Sequence, residues 1–242
     1  MSVPTVGAAI SLLMGNFVKD LREIGIVKTL RFNLRYFGWK AGWRMPVLIS
    51  RRTSLKCLGG SVTVPAGMGF GKVRIGFHPN SIVDFRYERS VWDVTGHVEF
   101  QGKCRLCAGC RIVAGGRLTF GERCCFVGLS RIIANDSVTI GADSLFSWDI
   151  QIMDTDFHRI LDSAGRWVNP PRPVVIGPRV WMGCKCTVLK GVSIPEGSVI
   201  AAGTMVVSSL HKPSAVYGGN PVRELRSDVS WEFCAASVSR QM

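Results

Sequence analysis

From Ile176 onward the chain repeats every six residues. Cut at that interval it reads IGPRVW, MGCKCT, VLKGVS, IPEGSV, IAAGTM, VVSSLH. The first column is Ile176, Met182, Val188, Ile194, Ile200 and Val206, all aliphatic or Met. The fifth holds Val180, Cys186, Val192, Ser198, Thr204 and Leu210, small or β-branched apart from the last. Four of the six residues in the second column are Gly, Pro or Ala. A helix repeats its apolar face every three to four residues and a strand every two, so neither gives this spacing. Short strands joined by turns and wound as flat triangular coils of about eighteen residues do give it. Each aliphatic then points inward, and stacked coils pair as parallel strands about 4.8 Å apart.

The same frame recurs upstream. Phe100, Leu106, Ile112, Leu118 and Cys124 lie six apart, with Cys104, Cys110 and Gly116 in the fifth position, before Glu122 breaks the pattern. Ile140, Phe146 and Ile152 form a third stretch. Between Ile152 and Ile176 the repeat stops, and residues 153–173 read as a long loop closed by Pro170, Pro171 and Pro173. Loops of that length inside a packed domain are usually functional, so chemistry is expected there.

Composition narrows the class. With 47% hydrophobic residues the chain can bury a sizeable core, which excludes a wholly disordered protein. Nine cysteines without a recognisable secretory signal point to reduced thiols in the cytoplasm. Cys104, Cys107 and Cys110 raise the question of zinc, but the spacing is wrong for a two-knuckle ribbon and His97 completes no ligand set. No metal is expected, and two of the three cysteines fall in the small interior column. The first eighteen residues carry no charge, but Pro4, Gly7, Gly15 and Asn16 interrupt them. They predict a short docked or interfacial helix rather than a signal peptide or a span, which needs about 20 apolar residues.

The formal net charge is +13, and eight of those units fall within residues 28–56, which contain no acidic residue. There the cations alternate with Phe32, Tyr36, Phe37, Trp39 and Trp43. Cations among aromatics suit an anionic membrane face or single-stranded nucleic acid. A packed subdomain with snorkelling Lys and Arg stems is the structural alternative.

Several segments together resemble the hexapeptide-repeat acyltransferases, the left-handed β-helix family, and within it the O-acetyltransferases of bacterial surface saccharides. They are Val180-Trp181-Met182-Gly183, Leu189-Lys190-Gly191-Val192, Ala201-Ala202-Gly203-Thr204, Gly219-Asn220-Pro221 and Met153-Asp154-Thr155-Asp156-Phe157-His158. The likeness covers roughly residues 95 to 226. It implies an all-β fold, a left-handed parallel β-helix with a short helical N-terminal region. The expected organisation is a basic-aromatic helical region at 1–60, the β-helix at 61–226 and a tail at 227–242.

The resemblance also implies a homotrimer with sites between subunits, acetyl-CoA as donor and a saccharide hydroxyl as acceptor, on a surface polysaccharide or its lipid-linked precursor. His158 is the expected general base, since imidazole is well matched to taking a hydroxyl proton near neutral pH. Asp154 or Asp156 assists it, with Asp156 the favoured one. Trp181 and Cys184 line the donor site, Ala202 permits close approach, and Arg223 and Arg226 reach the nucleotide. Where the family commonly has Thr-Lys-Asp after its last hexapeptide this chain has Val207-Ser208-Ser209, so Lys212 is the candidate substitute. His78, His97 and His211 are expected to be structural. The family context favours peripheral association of residues 28–56 with the inner face of a membrane over nucleic acid. The rival readings are a metal hydrase on the same coil, a non-catalytic hexapeptide scaffold, and an N-acetyltransferase acting on an amino sugar.

Overall fold

A computed structural model of the chain describes residues 22–77, 83–84 and 87–232. The helix expected in the first eighteen residues, His78 and the chain beyond Glu232 lie outside the described residues. Among those described, one helix, Ile26–Gly42, precedes twenty-two short strands in three sheets of nine, seven and six. In each sheet, up to the last two strands of the nine-stranded one, the hydrogen-bonded neighbour of a strand is the third strand along the chain, so each turn of the coil contributes one strand to each face. All the pairings are parallel except the last, where Arg223–Arg226 runs antiparallel to Val216–Gly218. The parallel sheets begin at Val47–Ile49, upstream of residue 61.

The aliphatic column is the core. Ile176, Met182, Val188, Ile194, Ile200 and Val206 are all buried, and Trp181↔Val199 and Thr187↔Met205 pair eighteen residues apart. Upstream the coil is longer. Arg111↔Arg131, Arg117↔Ser137 and Cys125↔Leu145 pair twenty apart. The two extra residues lie at the corner between the second and third sheets, where Thr95-Gly96, Gly115-Gly116 and Asn135-Asp136 stack as two-residue turns. The upstream six-residue frame is therefore corrected: it drifts by two at each such corner, which is why Glu122 breaks it. The corner permits little side chain, because a Cβ on Gly96 would lie 2.1 Å from the Gly116 carbonyl oxygen and one on Gly116 would lie 2.2 Å from that of Asp136.

The wider upstream coils are filled by aromatics. Trp92, Phe100, Phe120, Phe126 and Phe146 form a continuous internal stack, ending with Phe126 and Phe146 face to face at 4.1 Å between centroids. The cysteine run belongs to this core. Cys104 pairs in register with Cys124, and both are buried together with Cys107 and Cys110. Burial pushes the Cys124 thiol up to about 12 and raises Cys104 and Cys110 as well. Among the described residues no group of His, Cys, Asp and Glu is placed to hold a metal.

The helix closes the N-terminal end of the coil and touches the first strand of all three sheets. Thr29 and Asn33, one helical turn apart, work as a substitute strand: Asn33 donates to the Val47 carbonyl at 2.6 Å and accepts from its N–H at 3.2 Å, and the Thr29 hydroxyl accepts from the Ile49 N–H at 3.1 Å. The open edge of the nine-stranded sheet is thereby satisfied. Phe32 meets Trp92 edge to face at 5.1 Å, and the Trp92 indole N–H donates to the Tyr36 hydroxyl. This packing buries the apolar side of the basic-aromatic segment and turns Val27, Arg31, Arg35, Trp39 and Trp43 outward. No helix among the described residues is long and apolar enough to cross a membrane.

Candidate active site

The long loop grows from the same corner that carries the two-residue turns. Gln151–Met153 is the fifth strand of the second sheet, and Val174–Ile176 resumes in the third. Asp154 stacks on Ala134 and Ala114 at the end of its strand. It is buried, and its carboxylate accepts the N–H groups of Asn135 at 2.8 Å and Asp136 at 2.7 Å in the turn of the preceding coil. Burial pushes this carboxyl above the ordinary range, while those N–H groups pull the other way. Asp154 thus fixes the root of the loop to the coil beneath it.

Asp156 is exposed, and one oxygen of its carboxylate, Oδ2, accepts two hydrogen bonds. Lys190, on the equivalent corner of the next coil, donates to it, and so does the Asn169 side-chain amide at 2.8 Å. The Lys190 hydrogen bond is the main reason this carboxyl lies below the usual range, with Asn169 next. Lys190 also donates to the Asn169 carbonyl at 2.9 Å. Sequence reasoning favoured Asp156 as the partner of His158, but in this chain its carboxylate is bonded to Lys190 and Asn169, and no bond joins it to the imidazole.

Asn169 ties the two ends of the loop together. Its amide donates to Asp156 and to the His158 carbonyl at 2.9 Å, and its oxygen accepts from the Ile160 N–H at 2.6 Å and the Trp167 indole at 2.9 Å. Between them the chain turns back as a small hairpin, with Leu161 bridged to Trp167, Asp162 paired with Arg166, and the Arg159 guanidinium 4.7 Å over the Trp167 ring. Phe157 adopts a left-handed φ of 62°, and its N–H donates to the Thr155 hydroxyl. That turn presents His158 outward. Its backbone is held at both ends, by its own N–H on the Asp156 carbonyl at 2.7 Å and by Asn169, while the imidazole bonds to no other described residue.

Cys184 and Ala202 stack at a different corner, between the first and second sheets, and Trp181 lies on the first-sheet strand that leads into it. The Gly203 N–H donates to the Cys184 carbonyl at 2.8 Å, stacking the Ala202 turn on the Cys184 turn. Trp181 is 39% exposed, with its ring 6.2 Å from that of Trp231, whose indole N–H donates to the Arg179 carbonyl. Arg223 and Arg226 lie exposed on the antiparallel edge strand. Lys212 is paired with Glu224 at 3.3 Å. Of the other histidines, His97 bonds to the Ser61 hydroxyl at 2.7 Å.

Two residues of the site escaped the sequence reading. Lys190 sat in a quoted hexapeptide without a role, and Asn169 carried no signal beyond standing immediately before Pro170. Both act through distant partners, which local spacing does not reveal.

The relatives that the chain matches in part are named acetyltransferases. Over 62 residues the chain is 41% identical to a probable macrolide acetyltransferase of Lysinibacillus sphaericus, covering 24% of this chain and 34% of that protein. Over 97 residues it is 32% identical to the galactoside O-acetyltransferase of Escherichia coli, covering 39% and 46%. The chain therefore spans less than half the length of these curated relatives. The crystal structure of the polySia specific acetyltransferase NeuO superimposes with a TM-score of 0.52 at 21% identity, over 76% of this chain and 83% of that one. This likeness shows the fold that the resemblance implied, the left-handed parallel β-helix. No protein-family model matches the chain.

Proposed function

We propose that this protein is an acetyl-CoA-dependent acetyltransferase whose acceptor is a saccharide hydroxyl and whose general base is His158. The observation that carries the reading is the loop: Asp154, Asp156, Asn169 and Lys190 together fix its backbone while the His158 imidazole stays open to a partner. A solvated loop histidine needs no such support. The named acetyltransferases among its relatives support acyl transfer as the reaction class.

In the reaction the imidazole accepts the acceptor hydroxyl proton as that oxygen attacks the thioester carbonyl carbon. The C–O bond forms, the tetrahedral oxyanion collapses, the C–S bond breaks, and the imidazolium returns the proton to the departing thiolate. Acetyl-CoA supplies an activated acyl group, so no covalent acetyl-enzyme is needed. The corner of Trp181, Cys184 and Ala202 fits the donor: an exposed indole offers an apolar wall, and the exposed Ala202 turn lets a chain lie close. Arg223 and Arg226, exposed on the edge strand, form no ion pair with another described residue and suit phosphate.

His158 and this donor corner lie at different corners of the same triangular coil, which supports a trimer in which His158 of one chain faces the donor corner of the next. The membrane's inner face is the surface at which the outward cations and tryptophans of residues 28–56 would act. Incubation with acetyl-CoA and a panel of glycans, followed by mass gain on the acceptor, tests the reading; a gain of one acetyl group per modified hydroxyl is expected, and none on any acceptor would refute it.

A further inference from the structure

A cleft of about 540 Å³ opens at the N-terminal end of the coil, between the start of the helix and the connection at residues 51–55. Lys28, Arg31, Arg51, Arg52 and Arg89 line it, with Val27, Thr53, Ser54 and Leu55, and no carboxylate is among these described lining residues. Four of the cations belong to the basic segment. Arg89 comes from the following coil, so the fold has added a fifth charge to the same cleft.

This convergence sets like charges together in one cleft. Arg31, Arg51 and Arg89 form no ion pair with another described residue, whereas Arg111, Arg123, Arg131 and Arg166 all have carboxylate partners. Lys28 is committed in place by two hydrogen bonds, to the carbonyls of Arg51 and Thr53, each 2.7 Å. That leaves one of its three donors for the cleft. Its ammonium is pushed below the ordinary lysine range by burial first and by Arg89 second, so the like charges already oppose one another. An anion placed among them would relieve that repulsion and accept bidentate guanidinium bonds.

We infer that this cleft is a binding site for a phosphate group, formed by Lys28, Arg31, Arg51 and Arg89 and separate from the acyl-transfer site. The separation follows from topology. In the second sheet four strand spacings lie between Ser54–Leu58 and Gln151–Met153, which is roughly 19 Å along the axis. The phosphate is carried either by a lipid headgroup or by a soluble diphosphate. Ile26 and Val27, 69% and 77% exposed at the rim, suit the lipid form. The inference does not rest on the acyl-transfer reading, because none of these residues belongs to the loop or the donor corner.

The full-length protein is tested for co-sedimentation with vesicles of phosphatidylcholine alone or mixed with phosphatidylglycerol, and for binding of inorganic pyrophosphate by calorimetry. The cleft variant Arg51→Gln/Arg89→Gln is compared with Lys103→Gln/Arg117→Gln, which removes the same charge from exposed positions on the coil. Partition onto the anionic vesicles, or affinity for pyrophosphate, should fall about twenty-fold in the cleft variant, at roughly fivefold per cation. The control variant should retain the wild-type value, and acetyl transfer to a soluble acceptor should be unchanged in both. Arg31→Gln, on the exposed helix face, gives a second reading if the double variant folds poorly. Vesicle binding that pyrophosphate displaces assigns the site to a lipid, and pyrophosphate binding alone assigns it to a soluble ligand; both support the site. Wild-type protein that binds neither probe, or equal losses in the cleft and control variants, would overturn it.

Discussion

Lys190 holds Asp156 across the mouth of the loop, joining two consecutive corners of the coil through one ion pair. The lysine is largely shielded, with a side chain 12% exposed, and its second hydrogen bond goes to the Asn169 carbonyl. The Asp156 end of the pair is 41% exposed, so solvent screens it, and the pair matters less for global stability than for where the loop points.

Replacement of Lys190 by Met should therefore leave the melting temperature nearly unchanged and lower kcat by about tenfold to a hundredfold, the range expected when a reacting group is misplaced by an ångström or so. Steady-state kinetics alongside thermal unfolding checks this. A fall in melting temperature that matches the fall in activity would mean that Lys190 serves the fold instead.

The same pair fixes a pH dependence. The folded-state pKa of Asp156 lies below its ordinary value, so the anchoring it gives is complete above the ordinary carboxylate pKa near 3.9 and is lost as pH falls through the lowered value. Protection of residues 157–168 against limited proteolysis should persist to below about pH 4 in the wild type. In Lys190→Met the loss should begin at higher pH, because the carboxyl returns toward its ordinary value.

Asn169→Ala removes four hydrogen bonds that close the hairpin. Hydrogen exchange should rise sharply at Ile160 and Phe157–His158 and stay flat at Val174–Ile176, with activity reduced at least as much as by Lys190→Met. Uniform exchange across the coil would contradict this local role.

Asp154→Ala puts into the column the residue that Ala134 and Ala114 already supply there, so the stacking is kept and only the carboxylate is removed. It leaves the N–H groups of Asn135 and Asp136 without their acceptor, at a cost of about 1–3 kcal/mol. Calorimetric unfolding should show the melting temperature lowered by several degrees, in contrast to Lys190→Met.

If sites are shared between chains, His158→Ala and Ala202→Trp should complement each other. Each variant alone should be inactive or nearly so. Co-refolded in equal amounts and assorted at random, they should recover about a quarter of wild-type activity, since a site needs an intact His158 from one chain and an intact donor corner from another. Recovery of none would place both elements of a site in one chain.

Much of this architecture was legible in the sequence because a coil repeats its burial rule on every turn. Ile176, Met182, Val188, Ile194, Ile200 and Val206 stand one per face, and the core they predict is the core observed. The placement of Cys104 and Cys110 inside followed from the fifth column of the same repeat. The longer upstream coils were misjudged by two residues each, because Leu118 and Cys124 are buried in either frame and the hydrophobic pattern does not separate the two. The loop announced itself by the break in period, and His158 by the motif around it. What lay beyond reach was contact between residues far apart in sequence: Lys190 with Asp156, Asn169 with His158, Thr29 and Asn33 with the first strand, and Arg89 with Lys28. These pairings follow from which corners stack on which, and stacking appears only once the coil is closed.

The central claim is that His158 takes the proton in an acyl transfer from acetyl-CoA, and the rate of thiol release from acetyl-CoA with an accepted glycan, in wild type and His158→Ala, tests it most directly. The account predicts acceptor-dependent release in the wild type that falls by about a hundredfold to ten-thousandfold in the variant, with the fold intact by circular dichroism. Undiminished release by His158→Ala would contradict it.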